Sequence, residues 1–305
     1  MTADLDLKLV EIFCAVDDFL LQHFTLSTMK ACLPAAKGTR AMRKRKTSLS
    51  LSEQITIVIF YQLSGYKDFK HYYCNHILTE RKGDFPAAVS YSRFIRLLPR
   101  VLFPLLAFFL FTRMGRCTGV SFIDSTALRV CHNKRIVSHR VFAGIAKRGK
   151  TTMGWFYGFK LHLIVTTSGE LLSFALTAGN VADNSKEVVS KLAGDKLWGK
   201  LFGDKGYISS QLQELLRQRN IQLITSLRGN MKNKLLPMED KLLLRKRSLI
   251  ESINDELKNN CEVEHSRHRS SQNFLVHLFA ALTAYTYLPK KPSLKFENQL
   301  LQLAA

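Results

Sequence analysis

Val120-Ser121-Phe122-Ile123-Asp124-Ser125-Thr126 is a short apolar run closed by a carboxylate, and the character of the chain changes there. Val, Phe and Ile favour a pleated, half-buried surface, so the run reads as a strand ending at Asp124. Downstream, Phe156 to Thr167 and Leu171 to Thr177 are strand-like around a Ser168-Gly169 turn, a hairpin signal. Asn184 to Leu197 reads as a helix. Lys200-Leu-Phe-Gly-Asp204 is another short strand ending in a carboxylate, followed by Lys205-Gly206-Tyr207. Ser209 to Arg219 reads as a helix, Ile221 to Ser226 as a strand, Arg228 to Lys241 as a polar loop, and Leu242 to Asn259 as one long helix. Gln272 to Tyr287 closes the pattern as an apolar helix. Three consecutive strands followed by alternating helix and strand indicate a mixed sheet with helices on its faces. That order matches a ribonuclease H-like α/β fold.

Upstream of Cys117 the chain reads helical. Leu7 to Leu20 has helical apolar spacing, and Ser50-Leu-Ser52-Glu53 offers N-caps to the apolar segment Ile55 to Leu63. Tyr91 to Phe111 reads as one or two helices broken at Pro99 or Pro104. Residues 34 to 50 read as a linker carrying Arg40, Arg43, Lys44, Arg45 and Lys46. The predicted organisation is a helical N-terminal domain over 1–115, whose basic run has the composition of a DNA-contacting arm. An α/β domain over 116–288 and a tail over 289–305 follow.

The charge balance narrows the partner. Of 305 residues, 45 are Lys or Arg and 24 are Asp or Glu, a formal net charge of +21. Nucleic acid is the default polyanion for such a chain. Val101 to Phe111 is the longest apolar stretch and contains Pro104, whereas a membrane span needs roughly 20 residues. Asp4, Asp6 and Glu11 interrupt any signal-like N-terminus. Six cysteines lie scattered without a CxxC pair, which suits a reducing cytoplasm. His71, Cys74 and His76 lack a second ligand pair at zinc-finger spacing. The expected setting is cytoplasmic, with no membrane partner.

Three acids occupy places where chemistry could use them. Asp124 and Asp204 end strands, and Glu251 lies one turn into a helix. Cutting a phosphodiester requires a nucleophile to be activated and a leaving alkoxide to be stabilised. Two divalent ions roughly 3.5–4 Å apart serve both ends of such a displacement. Mg²⁺ takes oxygen ligands, so three carboxylates brought together would be a minimal cage. Asp255, Glu256, Glu262 and Glu264 are near enough in sequence to compete with Glu251. Asp124 could equally cap a turn, and Asp204 in Gly-Asp-Lys-Gly could be a plain turn residue.

Other residues read as auxiliary. Residues 126 to 152 hold no Asp or Glu, and His132, Asn133 and Lys134 within them are candidate DNA contacts. Lys160 and His162 alternate on a strand, share one face, and are expected to look toward the acids. Asn180 and Asp183, after the hairpin, read as caps for the next helix, the alternative being that they steady the site. His265-Ser-Arg267-His268-Arg269 reads as a phosphate-contacting loop through Arg267 and Arg269. Trp155, Phe156 and Tyr157 read as sheet core and hairpin packing.

Six stretches carry a resemblance: Phe122-Ile-Asp124-Ser-Thr, Cys131-His-Asn-Lys-Arg135, Gly158-Phe-Lys-Leu-His162, Leu176-Thr-Ala-Gly-Asn180-Val-Ala-Asp183, Gly203-Asp204-Lys-Gly-Tyr207, and Arg247-xxx-Glu251-xxxxxx-Lys258. Together they resemble bacterial insertion-sequence transposases with a DDE triad, most closely the insertion-sequence 982 group. Related members carry a helical signature Y-xx-R-xxx-E-xxxxxx-K; here Arg, Glu and Lys match, and Leu244 stands at the tyrosine position. The resemblance spans roughly residues 50 to 288. It implies a DNA transposase that cuts at element ends and transfers the freed 3′-hydroxyl into target DNA. Asp124, Asp204 and Glu251 would hold two Mg²⁺ ions, with Mn²⁺ as a substitute. Arg247 and Lys258 would meet phosphate. The implied partners are double-stranded DNA, as terminal inverted repeats and as target, and a second copy of the chain in the DNA complex. Two other functions stay open at this point: a non-catalytic DNA-binding protein, and a nuclease or resolvase of the same fold that cuts without joining.

Overall fold

The computed structural model describes residues 2–23, 48–152, 154–226, 235–264 and 269–294. Two compact units emerge from its contacts: Met1–Arg113 with Leu257–Tyr287, and Met114–Glu256 with Leu288–Ala305. Residues 34–47 of the expected linker lie outside the described residues, as do 228–234 of the expected polar loop, whose remaining residues run into the helix that starts at Met238.

The first unit is built of helices. Helix α1 (Thr2–His23) buries Leu9, Ile12, Val16, Phe19 and Leu20, a spacing of three and four residues that makes one apolar stripe. Helix α2 (Leu51–Leu63) starts at a capping box: Ser50 accepts from the Glu53 amide and Glu53 accepts from the Ser50 amide. A helical turn at Phe69–His71 runs into a π-helix over Tyr72–Glu80. Helices α3 (Tyr91–Leu97) and α4 (Leu102–Phe108) are separated by a 3₁₀ turn containing Pro99. The chain therefore breaks at Pro99, whereas Pro104 sits in the first turn of α4, where its missing N–H has no partner to lose. No single helix among the described residues is long and apolar enough to cross a membrane. The Ser271–Thr286 helix is buried nearly all round and packs on α2, with His277 beside Tyr61 and Gln62.

The second unit carries a six-stranded mixed sheet. Its strands are β1 (Val120–Cys131), β2 (Lys147–Thr151), β3 (Gly154–Thr166), β4 (Leu171–Ala178), β5 (Gly199–Gly203) and β6 (Ile221–Thr225). The path runs β2-β3-β1-β5-β6, and β4 also pairs with β3. β1 is antiparallel to β3, which is antiparallel to β4; β1, β5 and β6 are parallel. β1 does not stop at Asp124 but continues to Cys131, because its full length pairs with the long β3. β2 is an additional strand within the acid-free segment.

Helices α5 (Lys186–Ala193) and α6 (Ser210–Arg217) bury Val188, Val189, Leu192, Leu212 and Leu216 in one core with Ile123, Ile164 and Leu201. Ser209 caps α6 by accepting from the Leu212 amide. The long helix expected over 242–259 is two helices, α7 (Met238–Arg245) and α8 (Ser248–Asn259). The turn between them holds Arg247.

One glycine contact sets the level of the strands. The Lys200 amide donates to the Gly119 carbonyl at 2.7 Å. Gly199 lies at φ +83°, and a Cβ there would meet the Gly119 oxygen at 2.3 Å. Only glycine allows this approach, and the approach starts β5 level with Val120 on β1.

Candidate active site

The register places Asp124 and Asp204 side by side. Phe122 pairs with Phe202 across the parallel strands, so the residues two further on lie next to each other at the same end of the sheet. Side chains alternate along a strand, so both aspartates share the face of Phe122 and Phe202, whose rings lie 5.7 Å apart. Asp204 leaves β5 as the cap of the Lys205–Tyr207 turn, its Oδ1 accepting from the Gly206 amide at 2.8 Å.

Helix α8 covers that face. Asn254 donates its amide to Asp124 Oδ2 at 3.1 Å. Seven residues earlier, just before α8 begins, Arg247 stands 3.8 Å from Asp124 Oδ1 and donates to Glu251. The guanidinium thus bridges an aspartate of the sheet and a glutamate of the helix. Glu251 itself is about half exposed, at 54%.

Burial pushes the Asp124 carboxyl up to about 7. Arg247 and a hydrogen bond from the Ser125 backbone pull it down, while the charges of Asp204 and Glu251 push it up. Tyr207, three residues after Asp204, is buried, and its hydroxyl has no hydrogen-bond partner among the described residues. Burial first, then Asp124, Asp183 and Asp204, holds that phenol well above its usual value. Among the described residues no group of three or more His, Cys, Asp or Glu side chains is gathered closely enough to hold a metal ion. Glu251 is turned to Arg247 rather than to the aspartates.

The sheet's other face holds a second polar cluster. Ser125 and Lys160 both donate to Asp183 Oδ1, at 2.6 and 2.9 Å. Buried His162 shares a hydrogen bond with Thr177 at 2.9 Å. Lys160 and His162 do share a face, but it is the one opposite Asp124, because Asp124 pairs with Leu163 in the β1–β3 register. Asp183 does not cap α5; Ser185 precedes that helix, and Asp183 is engaged by Ser125 and Lys160 instead.

Two candidates, His132 and Lys134, lie apart from the acids along β1. His132 and Lys134 are exposed on a turn beyond the far end of β1, and His132 Nδ1 accepts from the Lys134 amide. Seven residues of strand separate Asp124 from Cys131, about 23 Å at roughly 3.3 Å each. Lys258 ends α8, in the other unit, 3.6 Å from Glu264. Arg269 is exposed in that same unit, and Arg267 lies outside the described residues. Asn254 and Tyr207 are the residues that sequence reasoning missed. Asn254 stands three places after Glu251 and so shares its side of the helix, a signal that was available.

A family model described as "Transposase DDE domain" matches residues 114–271. A comparison with curated proteins finds no match. Among solved structures, the cryo-EM structure of the piggyBac transposase synaptic complex with hairpin DNA is similar at a TM-score of 0.44 and 10% identity, over 96% of this chain and 76% of that one. The simian T-cell lymphotropic virus intasome in complex with the PP2A regulatory subunit B56 gamma is similar at a TM-score of 0.23 and 14% identity, over 60% of this chain and 61% of that one. The matched stretch, 114–271, is more than half of the 305 residues and includes both aspartates, Arg247, Glu251 and Asn254, and by it the chain belongs to the DDE transposase domain family.

Proposed function

We propose that this chain is a transposase of the insertion-sequence 982 group with a ribonuclease H-like catalytic unit. It cuts phosphodiester bonds at element ends and joins the freed 3′-hydroxyl to target DNA. The observation that carries this reading is the pair Asp124 and Asp204, level on adjacent parallel strands, with Glu251 and Arg247 over the same face. The N-terminal helices would recognise the ends, and a second copy of the chain would hold the second end.

Domains of this family generally use divalent metal ions. The donor chemistry here suits a hard cation, since the three acids offer only oxygen. Burial and neighbouring negative charge already oppose ionisation of Asp124, and a bound cation would relieve that. Asp124, Asp204 and Glu251 would hold Mg²⁺, or Mn²⁺ in its place. Such ions, when bound, polarise the scissile phosphate and lower the pKa of an attacking water.

The protein's own groups do the positioning. Asn254 fixes one oxygen of Asp124 and leaves the other toward Arg247. Arg247 offers a planar fork suited to two phosphate oxygens. When DNA takes over that fork, Glu251 loses its partner and is released to turn toward the aspartates. The buried flank around Phe122 and Phe202 limits water on that side of Asp124.

A cleavage and joining assay on duplexes carrying the element ends tests the reading. Asp204→Ala and Glu251→Ala are expected to abolish cleavage in Mg²⁺ while duplex binding stays near wild type. Pre-cut ends with free 3′-hydroxyls should be joined to target DNA by the wild type. Cutting without joining would make the chain a nuclease, and wild-type cutting by either variant would remove that acid from the set.

A further inference from the structure

Trp155 is 61% exposed, although aromatic residues of a hairpin ordinarily pack. Its neighbour Phe156 turns into the core, so strand alternation sends the indole outward. An outward strand position usually takes a polar residue, and this one carries the largest apolar side chain.

Cations stand on the same face of the hairpin. Lys150 lies directly across the β2–β3 ladder, with Nζ 5.8 Å from the Trp155 ring centroid. Arg148, exposed two residues away, shares that face. Asn133 donates to the Trp155 carbonyl at 2.8 Å, which ties the turn bearing exposed Lys134 beside the hairpin. No Asp or Glu occurs between Asp124 and Glu170, so no acid of this segment offsets these charges.

We propose that the β2–β3 hairpin and the Asn133–Arg135 turn form a nucleic-acid contact surface. In it Trp155 stacks on an unpaired base while Arg148, Lys150 and Lys134 meet the flanking phosphates. A π-face among cations is the combination that holds single strands: stacking contributes about 1–3 kcal/mol per base, and the cations track the backbone. Within a duplex each base is already stacked on both sides, so the indole selects overhangs, bubbles and single strands. Trp155 lies eight residues along β3 from Leu163, the partner of Asp124, or about 26 Å. The base it takes is therefore remote from the bond being cut, several nucleotides into the flanking strand.

The inference rests on the transposase reading only in assuming a DNA partner, and the test separates the two. The chain has two tryptophans, so Trp198→Phe leaves Trp155 as the sole indole. In that background the protein is titrated with oligo-dT and with a blunt duplex of equal length. Indole fluorescence and the anisotropy of a labelled strand are followed together. Oligo-dT is expected to quench Trp155 in step with anisotropy. Trp155→Ala should weaken oligo-dT binding by about 5- to 150-fold, the equivalent of the stacking energy above, and change duplex binding by less than about twofold. Trp155→Phe should retain most of the affinity, and circular dichroism melting checks that each variant folds. Binding of oligo-dT without quenching, with Trp155→Ala as tight as its parent, overturns the inference alone. Failure of both DNA forms to bind would bring down the transposase reading with it.

Discussion

Replacing Asp124 by asparagine should stabilise the metal-free protein at neutral pH while abolishing cleavage. The Asp124 carboxyl stands at about 7 in the fold against 3.8 when unperturbed. A carboxyl raised by folding keeps its proton more readily in the native state. Its ionisation therefore erodes stability as pH climbs from about 4, and the loss is complete above about 7. Each pKa unit corresponds to about 1.4 kcal/mol, so the unscreened cost is about 4.5 kcal/mol. The side chain retains 18% exposure, and solvent relaxation lowers the figure to about 2–3 kcal/mol. The introduced amide is neutral, has the same shape, and can still accept from Asn254. Thermal melts in EDTA at pH 5, 6, 7 and 8 make the test. Asp124→Asn should melt higher at pH 8 by roughly 5–10 °C, with the gap shrinking steadily toward pH 5. Equal or lower stability at pH 8, or a gap that ignores pH, would refute the account of a strained acid. Mn²⁺ added at pH 8 should raise the melting temperature of the wild type and leave Asp124→Asn unmoved.

Three further outcomes are expected. Asn254→Ala removes the donor to Asp124 Oδ2; it should cut the cleavage rate at least tenfold and weaken Mn²⁺ binding measured by calorimetry, with duplex affinity unchanged. Burial holds His162 down near 4, with Lys160 lowering it further and Asp183 opposing, so the neutral ring favours folding above about 6.5. About 3 kcal/mol of that should be lost as pH falls toward 4, and urea titrations of His162→Gln should lack this part of the acid sensitivity. Duplex affinity should drop by about 10³–10⁵ between 50 and 200 mM salt if six to ten phosphates are contacted; a flat profile would remove the basic surface as a DNA footprint.

Much of the sheet was legible because its signals are local. Apolar runs ending at Asp124 and Asp204, a Ser-Gly turn between two strand-like segments, and Ser50 with Glu53 at a helix start each specify structure within a few residues. β2 was not legible, since Lys-Arg-Gly-Lys-Thr has no apolar alternation and forms a strand only because β3 offers it an edge. The split of one expected helix into α7 and α8 was equally hidden, for nothing in Arg245-Lys246-Arg247 breaks a helix by propensity.

By itself the sequence determined the acids, their order along the chain, the basic charge and the mixed α/β pattern. Those follow from residue identity and short-range periodicity. The tertiary structure alone decided what stands next to what. A parallel register pinned by Gly119 and Gly199 brings Asp124 level with Asp204. The β1–β3 pairing sends Lys160 and His162 to the opposite face. Leu257–Tyr287 joins the N-terminal helices, and Trp155 turns outward among cations. Each of these depends on pairing between segments far apart in the chain, where a shift of one residue would exchange the faces.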